Sequence, residues 1–187
     1  MISREEALQI LEEKVSNRNI IKHMLATEAM MRSLAKKLES EKEEEWAMAG
    51  LLHDGDYSEG VPVEKQGVQI SEWIKERGLE IPDEVAHAMA AHNFANTGVK
   101  PESKMDWALF AGDSLTGLIV ASALVLPDKK LADVTPETVL KRFKELKFAA
   151  GTRRGDIQTC ENLGLSLEEF VQITLEAMQG IHEEMGL

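Results

Sequence analysis

Five residues in this chain combine the chemistry of metal ligands with the positions of core residues: His23, His53, Asp54, His92 and Asp113. His23 shares a helical stripe with Ile20, Thr27 and Met30, His53 another with Trp46 and Gly50, and His92 a third with Val85, Ala88 and Met89. Asp113 lies in the most apolar run of the chain, in register with Phe110, Thr116 and Val120, and that run supplies no basic partner for it. A buried carboxylate is costly unless it is paired, hydrogen-bonded or bound to a metal. One shared ion reconciles three inward imidazoles with two inward carboxylates. Histidine and carboxylate donors without cysteine suit a divalent transition metal such as Mn, Fe, Co, Ni or Zn, which can bring the pKa of bound water near neutrality.

The adjacent pair in "GLLHDGDYSEG" sharpens this reading. Neighbours on a helix point about 100° apart, so His53 and Asp54 reach one ion together only at a helix end. Gly55 is placed to supply that end. His87 precedes His92 by five residues, about 140° around a helix, and is expected on the surface or just outside the site. His182 is expected in solvent, in the last turn of the final helix, where the helix dipole favours a cation.

The elements that must position these residues all read as helices. "SREE" at Ser3 forms a capping box for a first helix ending near Val15, and Asn17 or Asn19 opens a longer one. Ser40 is placed to cap a third helix, a fourth runs from about Val63 to Gly78, and Pro82 suits the first turn of a fifth. "ANTGVKPES", residues 95–103, reads as a loop, followed by an apolar helix over 105–126. Thr135 and Pro136 start another helix, "AAGTRRGD" is a loop, and Ser166 opens a final helix that stops near Gly180, with Glu169 completing a second capping box. Alternating strand patterns, internal repeats and linkers are absent, so the expectation is a compact all-α single domain over residues 1–187.

The bulk composition bounds the partners. With 21 basic and 33 acidic side chains the net charge is −12, which argues against a nucleic-acid polymer or an anionic membrane surface. The single cysteine, Cys160, excludes an internal disulfide and a thiolate zinc site, and "MISREEALQI" has no apolar export core, so the expected location is cytoplasmic. The run "WALFAGDSLTGLIVASALVL" is long enough to span a membrane, but Asp113 near its middle favours the core of a soluble protein. Apolar positions on that helix are available to a homo-oligomer contact.

In its ordered set of one histidine (His23), a His-Asp doublet (His53 and Asp54 in "LLHDGDY") and a distant aspartate (Asp113 in "FAGDSLTG"), the chain resembles the HD-domain superfamily of metal-dependent phosphohydrolases. It is most similar to the small single-domain bacterial and archaeal members. The resemblance spans roughly residues 17–180, with a motif core over 17–126 and C-terminal helices over 135–180 packed on it. It implies a helical bundle of the HD type in which His23, His53, Asp54 and Asp113 hold one metal per chain. His92, in "AHNFANTG", would meet a second metal or the substrate phosphate, and Gln66 stands where many members have another histidine. That departure favours a mononuclear site and weighs against the di-iron oxygenases of the same fold. The implied reaction is hydrolysis of a small phosphorylated substrate, a nucleotide above all, with Asp54 and Asp56 acting on the attacking water. Lys65, Arg153 and Arg154 are the candidate phosphate clamps. A non-catalytic metal- or ligand-binding helical protein is the remaining alternative. Substrate selection is expected from the segments 94–104 and 149–156.

Overall fold

A computed structural model describes residues 2–187 and is all-α, with no strand among the described residues. Capping residues set most helix starts. Ser3 and Glu6 form the expected capping box on α1 (Arg4–Lys14), and the Asn17 side chain accepts from Asn19 to open α2 (Arg18–Leu38). Helix α3 (Glu43–Leu52) departs from expectation: Ser40 opens a short 3₁₀ turn over 40–42, and no side chain caps the helix itself. Three consecutive glutamates in its first turn favour the positive helix end instead.

The expected fourth helix is interrupted. Residues 63–65 make a 3₁₀ turn, Gly67 takes φ +89°, and only then does α4 (Gln69–Glu76) begin. Helix α5 (Asp83–His92) follows, with Pro82 one residue before it rather than inside it. The expected 95–103 loop is entered by a short helix, α6 (Phe94–Thr97), closed by Gly98 at φ +74°. Ser103 and Asp106 form a capping box on α7 (Lys104–Leu124). Thr135 and Pro136 open α8 (Pro136–Lys144) as expected, followed by α9 (Arg154–Gln158) and a 3₁₀ turn over 159–163. Ser166 caps α10 (Leu167–Gln179) through the Glu169 N–H, without the reciprocal half of a capping box. His182 begins a separate last helix, α11 (His182–Met185), instead of ending α10.

Helix α7 is the axis of the molecule. By length and composition it is a helix that could cross a membrane, and it lies through the core against α2, α5, α8, α9 and α10. Helix α3 is apolar all round, and its residues 46–52 are buried between α2 and α5. Gly50 permits that packing. A methyl group there would come within 2.7 Å of the Thr27 carbonyl oxygen and 2.9 Å of the Glu28 nitrogen, both backbone atoms that cannot move aside. The inner faces of α2, the end of α3, α5 and α7 therefore converge on one point.

Candidate metal centre

At that point His23 from α2, His53 and Asp54 from the turn after α3, His92 from the end of α5 and Asp113 from α7 meet. Helix α3 stops at Leu52, and the Gly55 N–H bonds the Leu52 carbonyl, so the doublet sits in the closing turn as its spacing predicted. His23 Nε2 lies 2.9 Å from Asp113 Oδ1 and 3.2 Å from His53 Nε2. Asp54 Oδ2 is 3.7 Å from His23 Nε2 and 3.6 Å from His53 Nε2, and its Oδ1 is 3.4 Å from His92 Nε2. Donors held at about 2.1 Å from one ion stand roughly 3.0–3.5 Å apart in octahedral or tetrahedral arrangements. The observed spacing fits a metal site.

The outer nitrogens of the imidazoles carry the stronger argument. His53 Nδ1 donates to the Gly50 carbonyl at 2.9 Å, and His92 Nδ1 donates to the Met89 carbonyl. The Thr116 hydroxyl donates to the Asp113 carbonyl at 2.8 Å, which leaves its oxygen to accept from His23 Nδ1 at 3.2 Å. All three rings are thus committed at Nδ1 and present Nε2 to the common centre. Such outer-shell bonds fix both tautomer and orientation in histidine metal sites. Two overlapping groups result: His23, His53 and Asp113, and His53, Asp54 and His92, each with donor atoms within 4.8 Å of one another.

The electrostatics agree. Burial pushes the His53 pKa down to about 4, so its Nε2 is a free lone pair at neutral pH. Burial also opposes charge on His23 and His92, but the hydrogen bonds and charges of Asp113 and Asp54 outweigh it and raise both values. Asp54 and Asp113 lie well below the usual carboxylate range, because the surrounding imidazoles overcome the cost of burial.

Arg153 completes the site. Its guanidinium donates to Asp113 Oδ2 at 3.0 Å, on the side of the carboxylate away from His23, and is about half exposed. The other clamp candidates go elsewhere. Arg154 donates to backbone carbonyls of Arg142, Phe143, Glu145 and Phe148 and so ties α8 to the loop after it. Lys65 faces Glu72 at 3.6 Å. The expectation for Asp56 also meets a different geometry: its fully buried carboxylate accepts from the Gly67 N–H at 2.8 Å and the Ile70 N–H at 3.0 Å, tying down the turn before α4. Gly67 packs so closely on α5 that a methyl there would come within 3.1 Å of His92 Cε1. Gln66 therefore sits beside the cluster, but it is engaged through its backbone: its carbonyl accepts from Asn93 at 3.1 Å and its N–H donates to the Val63 carbonyl at 3.3 Å. His87 stands outside the site, half-exposed and 3.0 Å from Asp106, and His182 is exposed.

Thr116 and Gly50 are site residues that the sequence reading did not single out as such. Thr116 lies three residues after Asp113 on the same face, and that spacing was the available signal.

A family model described as HD domain matches residues 20–118, more than half of the chain, and includes all five clustered residues. The chain belongs to the HD domain family. No curated protein and no solved structure is matched by it. HD domains are typical of metal-dependent phosphohydrolases, and in this member the His-Asp doublet lies at the centre of the cluster.

Proposed function

We propose that this HD domain protein is a phosphohydrolase that cleaves a phosphoester or phosphoanhydride of a small metabolite, with a nucleotide as the favoured class. The observation supporting this is the convergence of three oriented imidazoles and two carboxylates beside one partly exposed arginine. A divalent transition metal held there would polarise a phosphoryl oxygen and supply a nucleophilic water near neutral pH.

The chain's own residues do the rest. His23, His53, Asp54 and Asp113 would hold the ion, and Thr116, Gly50 and Met89 keep the imidazoles aimed. Arg153, whose Nε and Nη2 donate to Asp156 and Asp113, would offer its permanent charge and its remaining N–H groups to the phosphoryl group. His92 presents Nε2 toward the same space through its contact with Asp54. With Asp56 bound to backbone N–H groups, Asp54 is the carboxylate placed to orient the attacking water through its second oxygen. A net charge of −12 disfavours a polyanionic polymer and leaves Arg153 as a local exception suited to a small phosphate. A cytoplasmic location fits the same reading.

A second reading has one observation in its favour: Asp54 and His92, with His53 shared between the two groups, form a second donor set that a second ion could use. Gln66 offers an amide where an imidazole would complete that set. Phosphate release from a panel of nucleotides, with Mn, Fe, Co, Ni or Zn supplied in turn, tests the main proposal. The wild type should release phosphate with at least one metal, and the His53→Ala, Asp54→Ala double variant with none. Absence of release from every pairing in the wild type overturns it.

A further inference from the structure

A groove of about 400 Å³ lies between the start of α2 and the second half of α7 and reaches the metal centre at His23. Asn19, Lys22 and His23 form one wall, and Gly117, Val120 and Leu124 the other, with residues 185–187 closing one end. One wall includes a residue of the site, and the other starts one helical turn beyond it. His23 belongs to the cluster and the groove alike, and Gly117, Val120 and Leu124 follow Asp113 by four, seven and eleven residues, along one face of α7. The volume lies in the range of small-molecule sites.

Gly117 is the unexpected residue. It lies in the interior of a 21-residue helix, where glycine weakens the helix relative to alanine. No close approach requires it, because a methyl group there would meet nothing within 4 Å. It does not need positive φ either. What its missing side chain leaves is open space one helical turn from Asp113. Val120 and the half-exposed Leu124 extend that space as an apolar wall, while Asn19 and Lys22 give the opposite wall a polar edge.

Resting on the phosphohydrolase reading, we propose that this groove is the subsite for the alcohol portion of the substrate and that Gly117 keeps it open. The substrate class is then a phosphate ester whose alcohol carries an aromatic or aliphatic body, such as a nucleobase, rather than a polyol. The apolar α7 wall favours a ring or alkyl body over hydroxyls, which would lose water there without gaining partners. The ribose of a nucleotide would face the polar edge at Asn19 and Lys22.

The test compares metal-loaded wild type with Gly117→Leu and Gly117→Ala, using adenosine 5′-monophosphate, 4-nitrophenyl phosphate and glycerol 3-phosphate as probes. Calorimetry measures binding, and phosphate release is scored on the same samples. The wild type should bind at least one of the two ring-bearing esters about tenfold or more tighter than glycerol 3-phosphate. Gly117→Leu should abolish that preference and Gly117→Ala reduce it, with glycerol 3-phosphate affinity, metal content and melting temperature not lowered. A wild type without the preference, or a preference that survives Gly117→Leu, overturns the groove assignment. Preference without phosphate release would instead sink the phosphohydrolase reading and leave the groove standing. Release without preference would do the reverse.

Discussion

Two pairs of near neighbours divide this molecule into a region that does chemistry and a region that holds it in place. Asp54 and Asp56 are two residues apart, yet Asp54 faces imidazole Nε2 atoms while Asp56 is saturated by the backbone N–H groups of Gly67 and Ile70. Burial raises the pKa of Asp56 against the pull of those donors, whereas the imidazoles hold Asp54 low. Arg153 and Arg154 are adjacent, yet Arg153 lies half in solvent on Asp113 while Arg154 is spent on carbonyls. Residue type is the same within each pair. What differs is the partner. A charged group whose bonds end on backbone completes the fold, and one whose bonds end on other titratable side chains leaves an arrangement a ligand can enter.

The sharpest way to break this comparison is to exchange the roles of the two aspartates. Asp56→Ala strands buried N–H groups of Gly67 and Ile70 and should cost about 3 kcal/mol of stability. Asp54→Ala should change the stability of the metal-free protein by about 1 kcal/mol or less while abolishing metal retention. Urea unfolding measures the first effect and elemental analysis the second. Equal destabilisation by both variants would erase the distinction.

The arginines give a smaller contrast. Arg154→Ala releases several carbonyls at the end of α8 and should cost about 2 kcal/mol. Arg153→Ala should leave stability within about 0.5 kcal/mol, since its ion pairs with Asp113 and Asp156 are made by a side chain half in solvent. It should also weaken phosphate-ester binding roughly tenfold through the loss of one charge-assisted contact.

Cys160 reports on the same segment with the least perturbation. It is buried beneath the turn after α9, and burial pushes its pKa up to about 11 from the ordinary value near 9. The native fold favours the protonated thiol, so its contribution to stability is complete below about pH 9 and fades as pH rises through about 11. Alkylation at pH 8 should therefore be slow in the wild type and in Arg153→Ala. It should be faster in Arg154→Ala, where the segment loosens. Identical rates in the two arginine variants would contradict the division of labour.

Much of this was legible in the sequence, and the reason is periodicity. His23, His53, His92 and Asp113 each occupy an apolar helix face, so inward placement followed from spacing alone, and the capping residues Ser3, Asn17, Thr135 and Ser166 mark the helix starts they were read to mark. The roles of Asp56 and Arg154 were not legible. They depend on which backbone groups are left orphaned by a 3₁₀ turn and a helix end, and neither break has a periodic signature. Ser40 failed as a cap for the same reason, because the chain spends one 3₁₀ turn before α3 begins. Gly50 looked like an ordinary small residue until the separation of α2 and α3 was known.

The most direct test of the central claim is the metal content of protein purified without chelator or affinity-tag metal, by elemental mass spectrometry, beside the His53→Ala, Asp54→Ala double variant and Asp56→Asn. The account predicts near one transition metal per chain in the wild type and in folded Asp56→Asn, and none in the double variant. A wild type that holds no metal after reconstitution with Mn, Fe, Co, Ni and Zn, or a double variant that keeps it, would contradict the account.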